Sequence, residues 1–157
     1  MDYNLIIREY QNEDHTQIIN LHRLVLQKEN VYRGVGVWEE DLTDIENVYL
    51  NNNGTFLVGL IDKKIIAMAG LLKKDNNTAE VVIMRVHPNY QGKGFGKIVL
   101  LKIEQEAKKL RYKELVLETD QRLKNAIHLY LNNGYVFWKE EYLNGFNCFW
   151  YRKELNY

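Results

Sequence analysis

Residues 91–97 read Gln91-Gly92-Lys93-Gly94-Phe95-Gly96-Lys97, a glycine-studded turn between an apolar run that stops at His87-Pro88 and a segment with helical apolar spacing. Glycines let a backbone approach a ligand closely, and a helix starting there offers unpaired N–H groups and the positive end of its dipole. The chemistry such a turn can do is anion binding, phosphate above all. Two common phosphate loops fail at named positions. A Walker A loop ending at Gly96-Lys97 needs glycine where Gln91 stands and Ser or Thr where Ile98 stands. A dinucleotide G-x-G-x-x-G needs glycine at Lys97 if it starts at Gly92, or at Val99 if it starts at Gly94. What remains is Gln91-x-x-Gly94-x-Gly96, following a strand that ends in Val86-His87-Pro88.

The elements that must position this turn follow from periodicity. Residues 5–10 form a short apolar run with the β-branched pair Ile6-Ile7, a first strand. Asp14 stands as a helix N-cap, and Ile18, Leu21, Leu24 and Val25 recur at three- and four-residue steps in a helix ending near Lys28. Gly34 and Gly36 mark residues 29–37 as a loop, and a shorter helix is expected over 38–50, with Leu42, Ile45 and Tyr49 on one side. Residues 56–61 and 65–72 are apolar runs joined by Asp62-Lys63-Lys64, a hairpin, and 78–87 continues an antiparallel meander. After the glycine turn, Leu100, Ile103, Ala107 and Leu110 define a buried helix face. Residues 113–118 read as a strand buried on both faces, as a parallel neighbour would be. A helix over 123–133 closes at Gly134, and strands 135–142 and 146–153 flank the hairpin signal Asn144-Gly145. The order β, α, α, β, β, β, α, β, α, β, β, without repeats or linkers, reads as one α/β domain over residues 1–157.

Composition narrows the partners. Lys+Arg and Asp+Glu are both 21, for a net charge of zero, whereas neutralising nucleic-acid phosphates calls for a basic balance or stripe. Nucleic acid is therefore not expected as a partner. No apolar run reaches the roughly 18–20 residues that span a bilayer, and the N-terminus lacks a signal-peptide profile. With a single cysteine, Cys148, the default is a cytoplasmic protein in a reducing compartment, away from the membrane. The four histidines, His15, His22, His87 and His128, show no ligand spacing with each other or with Cys148, so no metal is implied.

The turn pattern resembles the signature of the GNAT superfamily of acyl-CoA-dependent N-acyltransferases, Gln/Arg-x-x-Gly-x-Gly/Ala after a strand ending in Val-x-Pro. Ala126-Ile127-His128-Leu129-Tyr130 followed by Gly134-Tyr135 resembles that family's Ala-x-x-Leu-Tyr…Gly-Phe segment, with Tyr135 in place of Phe. The element order is similar as well, so the resemblance covers essentially the whole chain. It implies an α/β (α+β) fold with a mixed, mainly antiparallel sheet of about seven strands flanked by helices. It also implies an N-acetyltransferase that moves an acetyl group from acetyl-CoA to a primary amine by direct attack. The acceptor would be a small molecule or a protein amino group. A non-catalytic CoA-binding or regulatory module of the same fold is the alternative.

On that resemblance the pantetheine arm would run beside Met84, Arg85 and Val86. The pyrophosphate would lie on the N–H groups of Gln91, Gly92, Lys93, Gly94, Phe95, Gly96 and Lys97, an anion nest. Lys93 and Lys97 add positive charge there, or are ordinary solvated lysines. Tyr130 sits where the family's tyrosine protonates the leaving sulfur, although an apolar helix face would equally hold a core aromatic. Glu80 stands where many members carry a base for the amine. Strand alternation puts it on one face with Val82, Met84 and Val86, and a solvated or paired carboxylate is the other reading. Glu118 and Asp120 are weaker candidates for the base. One departure stands out: Leu123 occupies the position of an asparagine that contacts the cofactor in many relatives, with Asn125 as a substitute, and Asn132-Asn133 offers no basic residue for the 3′-phosphate. The segment 32–38 followed by Glu39-Glu40-Asp41 combines glycine, aromatics and acid, and either lines a pocket for a cationic amine or is a solvated helix N-terminus whose acids complement the dipole. Phe137, Trp138, Phe149, Trp150 and Tyr151 in the last hairpin suit core, acceptor wall or a homodimer surface.

Overall fold

The computed structural model describes residues 3–32, 37–143 and 145–157, the side chains of residues 37 and 38 excepted. Its frame is a seven-stranded sheet, formed by β1 (Ile6–Glu9), β2 (Thr55–Ile61), β3 (Lys64–Lys73), β4 (Thr78–Val86), β5 (Glu114–Asp120), β6 (Val136–Leu143) and β7 (Phe146–Glu154). The spatial order is β1-β2-β3-β4-β5-β7-β6. Every neighbouring pair is antiparallel except β4 with β5. This is the mixed, mainly antiparallel sheet expected, with the parallel pair where a helix connects two strands.

The sheet separates two apolar clusters. On one face, Ile18, Leu21 and Val25 of α1 (His15–Lys28) pack with Leu42, Ile45 and Tyr49. On the other, Val99, Leu100, Ile103 and Ala107 of α2 (Phe95–Lys109) pack against β2, β3 and β4, and Tyr130 of α3 (Lys124–Asn132) closes the layer. Burying one such Leu or Ile side chain is worth about 1.5–3 kcal/mol relative to leaving it in water. The apolar spacing therefore suffices to bind each helix to its face.

Three local expectations change. The helix expected over 38–50 is instead a 3-10 segment, Val37–Thr43, and a π-helical turn, Glu46–Leu50. Leu42, Ile45 and Tyr49 are buried all the same, because burial selects these side chains whichever helical pitch delivers them. Asp14 precedes α1 but caps nothing in it. Its carboxylate accepts from Arg8 at 2.7 and 2.9 Å and from the Gln11 N–H at 2.9 Å, and the Arg8 hydrogen bond holds its pKa below the ordinary 3.8. The β2–β3 turn is shorter than expected. Asp62 and Lys63, with φ of 48° and 67°, form it alone, and Lys64 already belongs to β3. Asn144 lies outside the described residues, while Gly145 sits at φ 83° beside the β6–β7 pairing.

The fourth change positions the site. Met68 pairs with Arg85 and Gly70 with Val82, so β4 takes one residue more than β3 over the same stretch. This β-bulge holds Ile83 at φ 54°, a conformation that is costly for a β-branched residue. The bulge reverses the facing of the strand. Ala79 and Val81 before it, and Met84 and Val86 after it, pack on the α2 side, whereas Val82 and Ile83 pack on the α1 side. Glu80 and Val82 therefore do not share a face with Met84 and Val86, as uninterrupted alternation would have it. Arg85 is turned to the α1 side, the side of Glu80.

Candidate active site

β4 and β5 pair only at Thr78–Glu114, Ala79–Leu115 and Glu80–Val116. Beyond Glu80, β4 stays with β3, while β5 stays with β7 as far as Asp120–Cys148. The sheet forks, leaving β4 without a strand partner on one edge. The fork opens into a cleft of ≈ 650 Å³ lined by β4, the glycine turn, the N-terminal part of α3, the end of β5 and α1 residues including His22 and Val25. An open strand edge supplies N–H and C=O groups to an extended, amide-containing ligand.

One end of the cleft is the glycine turn. Gly92 and Gly94 adopt φ of 74° and 87°, and a Cβ at either would meet no protein atom within 4 Å. Backbone conformation, not packing, requires glycine there. Among the described residues, the N–H groups from Gly92 to Lys97 donate to no protein acceptor; the next one, Ile98, donates to Gly94 O at 3.2 Å. Such a row at the N-terminus of a fifteen-residue helix can hold an anionic group. Gly96 lets α2 approach α3, since a Cβ there would sit 3.2 Å from Leu129. The seven expected residues divide by role. The Gln91 amide side chain donates to Val86 O at 2.9 Å and ties the turn to the end of β4, and its own N–H is turned to Pro88 O at 3.5 Å. The Phe95 ring is core, packed on Tyr3 and Tyr90. Lys97 lines the cleft, while Lys93 lies 5.9 Å from the centre of the Tyr3 ring. Asn125 is exposed and lines the cleft, and Leu123 lines it as the first residue flanking α3.

Across the fork stands Tyr130, 6% exposed, lining the cleft. Its hydroxyl makes no hydrogen bond to any described residue. Burial pushes its pKa up to about 12, against the opposing pull of Arg85. It is therefore a protonated phenol at neutral pH with a proton to give. Tyr130 belongs to the core cluster and also lines the cleft.

Glu80 sits at the apex, at the last β4–β5 pair, and lines the cleft. Burial raises its pKa above the ordinary 4.5, while Lys74 at 3.3 Å pulls the other way. The weaker candidates separate. Both carboxylate oxygens of Asp120 accept from Arg122, at 2.7 and 2.9 Å, which occupies it as a base. Glu118 is exposed at the cleft, close enough to act on both Glu80 and Arg85. Residues 33–36 of the expected acceptor loop lie outside the described residues, but Asp41 reaches the cleft and accepts a hydrogen bond from the Tyr49 hydroxyl. Sequence periodicity missed the Arg85 side chain, because only the bulge sends it to this side. It also missed His22, buried at 2% exposure on α1, whose pKa falls to about 3 through burial and the nearby Arg85 and Arg23. No cluster of three or more His, Cys, Asp or Glu side chains gathers to hold a metal ion among the described residues, and no described helix is long and apolar enough to cross a membrane.

Solved structures share this fold. An acetyltransferase of the GNAT family from Staphylococcus aureus Mu50 superposes with a TM-score of 0.90 at 24% identity, over 98% of this chain and 100% of that one. The PaiA N-acetyltransferase of Thermoplasma acidophilum, in complex with coenzyme A, gives 0.78 at 23% identity, over 96% and 99%. In sequence, N-acetyltransferase 8F1 of Rattus norvegicus is 28% identical over 68% of this chain and 50% of its own length. N-acetylaspartate synthetase of Xenopus tropicalis is 33% identical over 60% of this chain and 36% of its own. The chain thus spans half or less of the curated relatives it matches. Residues 9–135 match the model of the Acetyltransferase (GNAT) family, and with most of its length accounted for, the chain belongs to that family.

Proposed function

We propose that the protein is an N-acetyltransferase that moves an acetyl group from acetyl-CoA to a primary amine, of a small molecule or a protein, by direct attack. The carrying observation is the meeting of three features in one cleft: the unpaired β4 edge, the unclaimed N–H row at the start of α2, and the free hydroxyl of Tyr130. The edge at Met84–Val86 pairs with the pantetheine amides and the N–H row takes the pyrophosphate, so the thioester is delivered between Glu80 and Tyr130. Acetyl-CoA supplies an activated acyl group; the chain supplies the proton transfers. Glu80 takes a proton from the ammonium, directly or through water, so that nitrogen has a lone pair. The C–N bond forms, the C–S bond breaks, the phenol proton of Tyr130 goes to the departing thiolate, and the second proton lost by the nitrogen restores the phenol through water.

Thermal unfolding tests the binding half. Acetyl-CoA at 100 times Kd should add about 2.7 kcal/mol to stability, while ATP at the same concentration adds little. A valine at Gly94 forces a side chain into a left-handed φ, costing about 1–2 kcal/mol, and should remove most of that shift. No shift with acetyl-CoA or CoA would sink the proposal.

A pH profile tests the base. Glu80 works only as the carboxylate, and burial raises its folded pKa. Activity is therefore full above that pKa and lost as pH falls through it. The acid limb of kcat/KM should lie above pH 4.5, and Glu80→Gln should lower activity and abolish that limb. A variant that keeps the limb assigns it to another group.

A further inference from the structure

The mechanism above uses the backbone of Arg85 and leaves its side chain without a task. That side chain is unusual in this protein. Among the described residues no carboxylate comes within 4 Å of it. Its Nε is fully covered and has no hydrogen-bond partner, and its one described bond is from Nη1 to the neighbouring Met84 carbonyl at 2.9 Å. By contrast Arg8, Arg23, Arg122 and Arg152 each have a carboxylate. Burial pushes the guanidinium pKa down, against the pull of Tyr130, Glu118 and Asp41, as expected for a charge partly withdrawn from water. His22 of α1, close enough for Arg85 to lower its pKa, is held neutral and adds no second positive charge. A part-buried guanidinium with a covered, unpartnered Nε and no carboxylate within 4 Å is costly to hold, and here it is installed by a bulge that is itself strained.

The position gives a reason. Arg85 lines the cleft on the face of Glu80, with Asp41 and Glu118 near it, so a cation and several carboxylates border one small volume beside the transfer site. We propose that Arg85 is the acceptor's anion receptor, and that the acceptor is a free amino acid whose carboxylate is forked by this guanidinium while its amine lies on the acidic side of the cleft. This rests on the N-acetyltransferase reading. It revises the expected pocket for a simple cation into one for a zwitterion, with the planar donor fork suited to a carboxylate.

The test measures thiol release from acetyl-CoA with free L-amino acids, their C-terminal carboxamides, and dipeptides, alongside the acetyl-CoA thermal shift. For at least one side chain the free acid should exceed its carboxamide in kcat/KM by about 10- to 100-fold. In Arg85→Gln that ratio should collapse towards one, with Arg85→Lys in between. Binding of the matching N-acetyl amino acid to the CoA complex, read by calorimetry, should weaken in parallel. Because the acid-to-amide ratio of the unaltered protein is itself decisive, an unstable variant does not rescue the idea. Turnover in which carboxamides equal the acids, or in which only peptide amines react, overturns the Arg85 proposal and leaves the N-acetyltransferase intact. Absence of both thermal shift and thiol release overturns the two together.

Discussion

Replacing Tyr130 by phenylalanine is expected to lower kcat by about 10²–10³-fold, the usual worth of a positioned proton donor. The fold should be spared. The hydroxyl makes no described hydrogen bond, so removing it leaves no partner stranded, and the ring keeps its edge contact with Tyr135 at 5.9 Å. CoA affinity should change little, because the turn and the β4 edge are untouched. Burial lifts the phenol pKa to about 12, so the phenol stays protonated through the neutral range in the free protein. The basic limb of the pH profile should therefore not report this residue. Steady-state thiol release, with CoA calorimetry beside it, checks the prediction. Turnover within twofold of the unaltered protein would remove Tyr130 from the acid role and return the protonation of sulfur to water.

Lys153→Met is expected to cost about 3 kcal/mol, the lower end for stripping one partner from a buried ion pair, or roughly 6–12 °C in Tm for a chain of this size. Lys153 on β7 reaches Glu104 on α2 at 3.0 and 3.2 Å, and donates to Asn133 O at the end of α3 at 2.8 Å. Glu104 is 6% exposed and also accepts from the Tyr135 hydroxyl at 2.8 Å. Without the lysine, a covered carboxylate keeps only a neutral donor, and the last turn of α3 loses a clamp. The double variant Glu104→Leu/Lys153→Met removes both charges and should recover at least half of the loss, since an apolar pair of similar volume replaces a buried ion pair at little cost. Equal stability of single and double variants would mean that solvent reaches Glu104 in the folded protein. The clamp also bears on function. α3 carries Tyr130, so activity of the single variant should fall before global unfolding is reached.

How much of this was legible differs by feature. The strands and long helices follow from local pattern: Ile18, Leu21 and Val25 on α1, and Leu100, Ile103 and Ala107 on α2, are buried as their spacing requires. The glycine turn was legible for the same reason, because φ > 0 at Gly92 and Gly94 is a property of the residue itself. The segment 38–50 was half legible. Its buried side chains were marked by apolarity, but the 3-10 and π pitches depend on how Leu42, Ile45 and Tyr49 must reach across to the sheet. The facing of Met84 and Val86 was not legible at all. A bulge is a mismatch between two strands, and β4 alone contains no glycine or proline to announce it.

What the chain's residues marked alone, then, is the glycine turn, the two motifs of the family, and Tyr130 and Glu80 as the candidates that the proposed reaction uses. These rest on residue type and spacing, which short-range geometry converts directly into structure. Tertiary structure decided the fork between β4 and β5, the occupation of Asp120 by Arg122, the clamp at Glu104, and the turning of Arg85 to the Glu80 side of the cleft. Each of these depends on register or on a contact between elements distant in sequence or offset by a bulge. Energies of that kind are set by which surfaces meet, and no local pattern carries them.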